Sequence, residues 1–326
     1  MKGGLLKFLK DWMLVIGMIC GAGSYLIYMQ IPVLHPAGPA IEAVCRKIQP
    51  ILLFLMLFIS FCRIEPRQLK LQRWHLWNWL VQLCSFLLLS GTVIWAMHSG
   101  SAAAAWVIRN RILFESAMLC MICPTATACA VVTGKLGGDM AQVVMYTIII
   151  NLTVAIVVPL TVPLLYPTAG ISFISAFGRI LAKVFPLLIL PCLCAWGVRF
   201  LMPRFHKWVS DRINLSFYLW SMALTLAIMM STRAIVHSRG SLWTLLGMAA
   251  VSLACCIFQF RTGRRIGAAF GSRIEGSQAL GQKNTVFGIW MGYTFWDPVI
   301  SVAGGLYTIW HYIHNTRQLY RHGKEK

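Results

Sequence analysis

Acidic residues are scarce in this chain. Nine aspartates and glutamates stand against 29 lysines and arginines, and all charged residues together make up 12% of the 326 residues. In soluble globular domains about a quarter of the residues are charged, so this shortage excludes that class. A hydrophobic content of 58% and a mean hydropathy of +0.71 agree. The composition therefore predicts an integral membrane protein.

Familiar catalytic motifs are also missing. The sequence contains no P-loop, no GxSxG elbow and no HExxH zinc motif. Its histidines show no metal-ligand spacing. Cys120 and Cys123 are spaced as CxxC, but they lie in an apolar segment without a nearby His or Asp, which favours core packing. We therefore predict that the protein is not an enzyme and that it needs no metal and no other cofactor.

Long apolar segments follow one another along the chain. A helix that spans a bilayer needs roughly 20 apolar residues. Ten segments fit this requirement, at about residues 12–30, 40–62, 74–98, 106–134, 139–165, 176–202, 213–236, 241–259, 266–293 and 296–315. The predicted fold class is an all-α integral membrane protein with ten transmembrane helices.

The basic residues predict how these helices are oriented. Most lysines and arginines fall in alternate connectors, which the positive-inside rule assigns to the cytoplasm. Both termini are then cytoplasmic, and we expect the cytoplasmic (inner) membrane of a bacterium as the location. The net charge of +20 predicts contact with anionic membrane lipid and not with nucleic acid. The sequence leaves open whether the protein is a monomer or a homodimer.

Two of the predicted helices are broken at matching places. The fourth contains "CPTATACAVVTGK", with Pro124 inside it, and the ninth contains "GSQALGQKNTVFG", with Gly281 and Lys283 inside it. Each is the fourth in a group of five, and an odd number of spans inverts the second group. We therefore predict an inverted repeat of residues 1–170 and 171–326 within one membrane domain. Paired broken helices indicate a transporter's substrate site.

The same segments resemble a known family. "CPTATACAVVTGKLGGD", "GQKNTVFG" and "WDPVISVAGGLYTIWH" are similar to the fourth-, ninth- and tenth-helix motifs of the bile acid:sodium symporter family. Gln82, in "WNWLVQLCSF", is a further match on the third helix. The resemblance spans nearly the whole chain and implies a ten-helix fold with a core domain and a panel domain. It also implies secondary transport of organic anions by alternating access.

Departures from the family pattern concern the sodium sites. In sodium-coupled members, the first site uses a Ser, an Asn, a Ser, a Thr and a Glu. The matching positions here are Cys129, Ala130, Val143, Thr147 and Ala279. Sodium needs several oxygen ligands, and of these side chains only the threonine offers one. We therefore predict that the first sodium site is absent.

The family's second sodium site carries a lysine here. That site shares the lost Glu and adds two glutamines, which correspond to Lys283 and the retained Gln82. We predict that the Lys283 ammonium replaces the ion, donates to Gln82 and to unwound carbonyls, and exchanges a proton as access alternates. Transport would be proton-coupled or uniport. Alternatively, Lys283 reaches the surface or pairs statically with Glu275, two helical turns earlier.

Four polar residues at the breaks are candidate substrate ligands. Thr127 and Asn284 match family positions that contact substrate, and Thr125 and Gln282 are near them; the alternative role is helix–helix hydrogen bonding. The expected partner is a small or amphipathic organic anion. Bile acids, pantothenate-like acids, keto acids and sulfated organics fit equally well. The alternative function is a non-transporting membrane sensor or scaffold with the same fold.

Two acidic residues are given local roles. Asp297, before Pro298, is interpreted as part of a turn. Glu115, near Arg109 and Arg111, is interpreted as one member of a local ion pair and not as a proton carrier.

Overall fold

A computed structural model describes residues 2–63, 65–126, 128–167, 172–237 and 241–324. Within these ranges the chain is helical apart from its connectors, as a bilayer requires of a chain whose backbone groups must bond internally. The helices are α1 Lys2–Gln30, α2 Gly38–Cys62, α3 Arg73–His98, α4 Ala102–Arg109, α5 Arg111–Ile122, α6 Cys129–Lys135, α7 Met140–Leu165, α8 Phe173–Leu188, α9 Leu190–Leu201, α10 Pro203–Ser210, α11 Ile213–His237, α12 Leu242–Ala269, α13 Arg273–Gly281, α14 Thr285–Phe295 and α15 Ser301–Lys324.

The all-α membrane class is confirmed in its coarse form. Within the described ranges, four helical segments are long and apolar enough to cross a bilayer, or five if α8 and α9 form one span. These four are Pro32–Cys62, α3, α7 and α12. The ten-span arrangement and its inverted repeat remain predictions, because only four or five of the expected spans meet this length and hydropathy criterion in the described residues.

Both predicted breaks are present, and two other boundaries differ from the prediction. α5 ends at Ile122 before α6 begins at Cys129, and α13 is separated from α14 by residues 282–284. The segment predicted over 176–202 is divided after Leu188, where Pro191 cannot donate to the preceding turn. The basic stretch after residue 259 was expected to be a connector but continues α12, since arginine is a good helix former.

The chain forms two compact units. One contains Met1–Arg63 and Leu190–Arg239, and the other contains Ile64–Ile189 and Gly240–Lys326. Each unit therefore combines helices from both predicted repeats. A repeat is a relation of symmetry, whereas these units are defined by packing, so the boundary near residue 170 remains a prediction.

The first unit packs α1 and α2 against α11. Gly21 lies so close to α11 that a Cβ there would collide with the Thr225 carbonyl oxygen, and Gly17, four residues earlier, faces the same helix. Small residues at this spacing let membrane helices approach closely. Glu42 of α2 adds an ion pair with Arg233 of α11, at 2.7 Å between carboxylate and guanidinium.

The second unit contains both broken helices. Gly263 and Gly267 of α12 face Gly276 of α13, and a Cβ on Gly276 would lie 2.5 Å from the Gly263 carbonyl oxygen. The Ser277 hydroxyl donates to the carbonyl of Phe260 at 3.1 Å. Backbone contact thus fixes α13 against α12, and with it the point where α13 stops.

The local roles of the two acidic residues are confirmed. Glu115 accepts from the Arg111 guanidinium at 2.6 Å. The Tyr166 hydroxyl also donates to the Glu115 carboxylate, at 2.6 Å. Asp297 accepts from the backbone N–H of Val299 at 3.0 Å and so closes the turn before α15.

Gly276→Ala is expected to destabilise the protein by about 1–3 kcal/mol, because the new methyl group meets backbone atoms of α12 that cannot rotate away. Gly91→Ala in α3 is the matched control, since a Cβ there meets nothing within 4 Å. The measurement is the midpoint of thermal unfolding in detergent, followed by tryptophan fluorescence. An equal effect of the two substitutions would contradict the close crossing.

Candidate functional site

The two helix breaks meet and pair their backbones. They form an isolated antiparallel bridge. The N–H of Ala126 donates to the carbonyl of Gln282 at 2.9 Å, and the N–H of Asn284 donates to the carbonyl of Pro124 at 2.7 Å. Unwound backbone inside a membrane protein needs such partners. Each break therefore supplies hydrogen-bond partners to backbone groups of the other.

Side chains at the breaks reinforce this crossing. The Thr125 hydroxyl, which is fully buried, donates to the Ala279 carbonyl at 2.8 Å. Asn284 uses its side-chain oxygen to cap α14, accepting from the N–H of Phe287 at 3.2 Å. The Cys123 thiol donates to the Asn284 carbonyl at 2.9 Å. The Thr125 side chain thus bonds across the breaks, whereas the Asn284 side chain caps its own helix and only the Asn284 backbone bonds across them.

The other two candidate substrate ligands are Thr127 and Gln282. Thr127 lies outside the described residues. Gln282 is buried, and its side-chain oxygen has no hydrogen-bond partner in the described part of the chain.

Gln82 supports the end of α5. Its amide nitrogen donates to the carbonyls of Ile122 and Cys123, at 3.3 and 3.1 Å. Its amide oxygen accepts from the Tyr146 hydroxyl of α7 at 2.9 Å. The last carbonyls of a helix have no partner within the helix. Gln82 supplies that partner at the end of α5. Its amide group is oriented by Tyr146, a residue that the sequence did not point to.

Lys283 lies at the centre of the crossing. Only 1% of the residue is exposed, and its Nζ has no hydrogen-bond partner within the described ranges. It borders a cavity of about 10 Å³, which is close to the smallest space that holds one water molecule. The cavity is lined by Leu119, Cys120, Cys123, Lys283, Thr285, Gly288, Gly304 and Tyr307.

Three expectations for Lys283 are wrong in this structure. It does not donate to Gln82, since its Nζ has no hydrogen-bond partner in the described residues and the oxygen of Gln82 accepts from Tyr146 instead. It does not pair with Glu275, which accepts from the N–H of Asp139 at 2.7 Å and lies near the opposite end of α13. It does not reach the surface either. The crossing holds the lysine without any of its predicted partners.

Thr147, which the sequence analysis matched to the first sodium site and which is a candidate for ion coupling, takes part in ordinary helix packing, as do the other positions of that site. The Thr147 hydroxyl donates to the carbonyl of Val143, one turn earlier in α7, at 2.9 Å. Cys129, Val143 and Ala279 are fully buried, and Ala130 is half-buried. The Ala279 carbonyl is occupied by Thr125. Glu275 connects the start of α13 with the α6–α7 connector, away from Lys283.

Thiols and the Tyr307 phenol are the titratable groups described around Lys283. Cys120, Cys123, Cys129 and Cys255 interact with it electrostatically. In the described part of the chain, no carboxylate contacts its Nζ. A buried ammonium without a counter-charge is strongly unfavourable. Lys283 therefore has a physical reason to bind an anion or to lose its proton.

Two further side chains, Gln259 and Tyr307, donate hydrogen bonds to the helix ends at the breaks. Neither was predicted from the sequence. The Tyr307 hydroxyl donates to the Gly281 carbonyl at the end of α13, at 2.7 Å. The Gln259 amide donates to the Tyr307 hydroxyl at 3.1 Å and to the Cys120 carbonyl at 3.2 Å. A glutamine inside the apolar α12 was the available signal, because buried amides need partners.

Lys283→Met is expected to raise the stability of the resting protein by about 1–3 kcal/mol, because it removes a buried donor without a partner and keeps the chain length. Gln82→Met is the contrast, and it should lower stability, since it breaks bonds to Ile122, Cys123 and Tyr146. The measurement is the midpoint of thermal unfolding of each variant compared with the unchanged protein. A loss of stability in Lys283→Met would show that the ammonium is bonded after all.

Comparison with known proteins agrees with this architecture. The family model of the SBF-like CPA transporter family matches residues 12–319, which include both breaks and every residue of the crossing. A search of curated proteins gave no match. The resemblance to bile acid:sodium symporters that the motifs indicated is thereby confirmed, and it implies a transporter. The chain belongs to the SBF-like CPA transporter family.

Proposed function

We propose that this protein is a secondary transporter of a small or amphipathic organic anion that works by alternating access without sodium coupling. Membership of a transporter family supports transport. Paired broken helices support a substrate site at the crossing. The observation that carries the proposal is the fully buried Lys283, whose Nζ has no partner in the described residues.

Lys283 suits the role of a coupling group better than that of a substrate ligand. Its cavity, at about 10 Å³, has no room for an organic anion. The lysine is nevertheless at the position where the family resemblance places a cation. Its charge is carried by a proton, which can leave, whereas a sodium ion would need oxygen ligands that Cys129, Ala130 and Val143 do not offer.

Coupling follows from the cost of burying the charge. When the crossing opens to water, the Lys283 amine can be protonated, and the positive charge attracts an organic anion to the polar groups beside it. When the crossing closes, the buried charge favours either retention of the anion or loss of the proton. Proton-coupled transport and uniport both follow from this cycle. They differ only in whether the proton crosses with the substrate.

The proposed architecture has ten helices in two inverted halves, residues 1–170 and 171–326, within one membrane domain. α5 and α6 form the broken fourth helix of the first half, and α13 and α14 form that of the second. Antiparallel pairing of the two breaks supports this arrangement. We place the protein in the inner membrane of a bacterium with both termini in the cytoplasm, as a monomer or a homodimer.

A second candidate is a membrane sensor or scaffold that binds an anion without moving it. The observation that favours it is the dense bonding of the crossing, in which Thr125, Gln82 and Asn284 are all committed to structural bonds. Such a crossing resists opening. Binding of an anion without flux would support this candidate.

Topology is tested with epitope tags. Tags near Arg67 and Arg204 should be inaccessible to antibody in intact cells and become accessible after permeabilisation, because both positions lie in connectors predicted to be cytoplasmic. A tag at Gly100, between α3 and α4, is the control and should be accessible from outside. Labelling of intact cells at Arg67 or Arg204 would overturn the inverted repeat.

Coupling is tested by uptake into proteoliposomes, with cholate, pantothenate, pyruvate and estrone sulfate as probes. At least one anion should be taken up, with accumulation in response to a pH gradient in the proton-coupled case and equilibration without accumulation in the uniport case, and replacing sodium with choline should change nothing. Lys283→Met should abolish the response to pH, because the group that exchanges the proton is gone. Lys135→Met, at the exposed end of α6, is the matched control and should transport normally.

Each other outcome has a defined meaning. A sodium requirement would show that oxygen ligands for the ion lie elsewhere. Normal pH-driven uptake by Lys283→Met would assign the lysine a structural role only. Thermal stabilisation by an anion without uptake would favour the sensor.

A further inference from the structure

A row of polar side chains lies on the buried face of α15. Tyr307, His311 and Asn315 are spaced four residues apart and are 1%, 2% and 3% exposed. Residues at this spacing share one face of a helix. The His311 ring packs edge-on against the Tyr307 ring, with 5.8 Å between the centroids. The row therefore runs inside the second unit, from the crossing towards the C-terminal end of α15.

The polar atoms of this row lack protein partners. Both ring nitrogens of His311 and both amide atoms of Asn315 have no hydrogen bond within the described ranges. His75 shows the usual arrangement at similar burial: one ring nitrogen accepts from the N–H of Gln72 and the other donates to the Gln142 carbonyl, each at 3.0 Å. Buried polar groups without protein partners are normally bonded to water.

The row continues to the end of the helix. Gln278 of α13 is fully buried and donates to the side-chain oxygen of Gln318 at 2.5 Å. Its own side-chain oxygen has no partner in the described part of the chain, and the same is true of Nε2 of His322. Gln318 and His322 are partly exposed. The polar row thus reaches solvent near the C-terminus, which the basic residues place in the cytoplasm.

The other end of the row reaches the lysine. Tyr307 lines the cavity of Lys283 and donates to the Gly281 carbonyl at 2.7 Å. Lys283 interacts electrostatically with the thiols of Cys120 in α5, Cys123 at its C-terminal end, Cys129 in α6 and Cys255 in α12. No charged residue interrupts the described face of α15 between Tyr307 and Asn315.

The titratable neighbours of His311 come from its own helix. They are Tyr307, Tyr312, whose ring lies 4.6 Å from the imidazole, and His314, which interacts with it electrostatically. His314 stacks on Phe260 of α12 at 3.9 Å and interacts with Arg264 of α12 and with Arg317. These arginines lie towards the C-terminal end of the row.

We propose that this face of α15, formed by Tyr307, His311, Asn315, Gln318 and His322 together with Gln278, is a hydrated path that carries protons between the cytoplasm and Lys283. It rests on the proposed role of Lys283 as the coupling group. His311 accepts a proton from water on one ring nitrogen and releases the proton of the other nitrogen to the next water. One N–H bond forms and the other breaks, so one proton moves and the ring is left in its other tautomer, which rotation of the ring restores before the next transfer.

Hydration of the path is tested by hydrogen–deuterium exchange at histidine C2, measured by mass spectrometry on the full-length protein in lipid nanodiscs. This exchange requires contact of the imidazole with water. His311 should exchange at least about tenfold faster than His75, which is equally buried but bonded on both nitrogens. Exchange of His311 as slow as that of His75 would overturn the proposal.

The direction of the path is tested with a pair of variants on α15. Asn315→Leu replaces a polar group on the cytoplasmic side of His311 with an apolar one and should slow the exchange of His311 at least about tenfold. Thr308→Val is the control: Thr308 is equally buried on the same helix but bonds within it, to the Gly304 carbonyl at 2.9 Å. Unchanged His75 exchange verifies the fold. If Asn315→Leu leaves His311 exchange unaltered, water does not reach it from that side.

Proton movement is tested with His311→Phe, which keeps an aromatic ring against Tyr307 and removes both nitrogens. In proteoliposomes loaded with a pH-sensitive dye, the proton entry that accompanies uptake of cholate, pantothenate, pyruvate or estrone sulfate should slow at least about tenfold. Unchanged proton entry would overturn the path. The coupling role of Lys283 fails separately, through normal pH-driven uptake by Lys283→Met, and that result would leave the exchange of His311 as it is.

Discussion

Backbone pairing between two interrupted helices is the interaction on which the second unit depends. α5 and α13 stop inside the protein, and their loose ends bond to each other through Ala126 and Gln282 and through Asn284 and Pro124. A bilayer offers no water for such groups, so a break in one helix is tolerated only beside a partner. The two breaks meet this requirement together, since each supplies hydrogen-bond partners to the other.

The remaining carbonyls at the breaks are satisfied by side chains from three whole helices. Gln82 of α3, Gln259 of α12 and Tyr307 of α15 donate to the ends of α5 and α13. None of these bonds involves the Nζ of Lys283, which has no hydrogen-bond partner in the described residues. The charge of this lysine is therefore offset by no hydrogen bond of the closed crossing, and the proposed coupling depends on that cost.

Thiols lie around the lysine, and one of them, Cys129, stands where the family resemblance places a serine. Cys120, Cys123, Cys129 and Cys255 surround a group that, in sodium-coupled relatives, corresponds by resemblance to an ion site. Neutral thiols neither coordinate sodium well nor neutralise an ammonium. The same lining that disfavours sodium therefore makes the lysine's charge costly to retain. On the proposed path, the polar face of α15 supplies the route by which that charge comes and goes.

The sequence by itself determined the features that depend on neighbouring residues: the apolar helices, the interruptions around Pro124 and Gly281, the Arg111–Glu115 ion pair and the turn at Asp297. Its motifs also indicated the family. The tertiary structure decided what each side chain at the crossing contacts. The Tyr146 hydroxyl donates to the side-chain oxygen of Gln82, and the backbone N–H of Asp139 donates to the Glu275 carboxylate. These pairs join residues 64 and 136 positions apart. Hydropathy and spacing report which face of a helix is buried, but not which distant group the packing brings against it, so the isolation of Lys283 could be seen only in the folded chain.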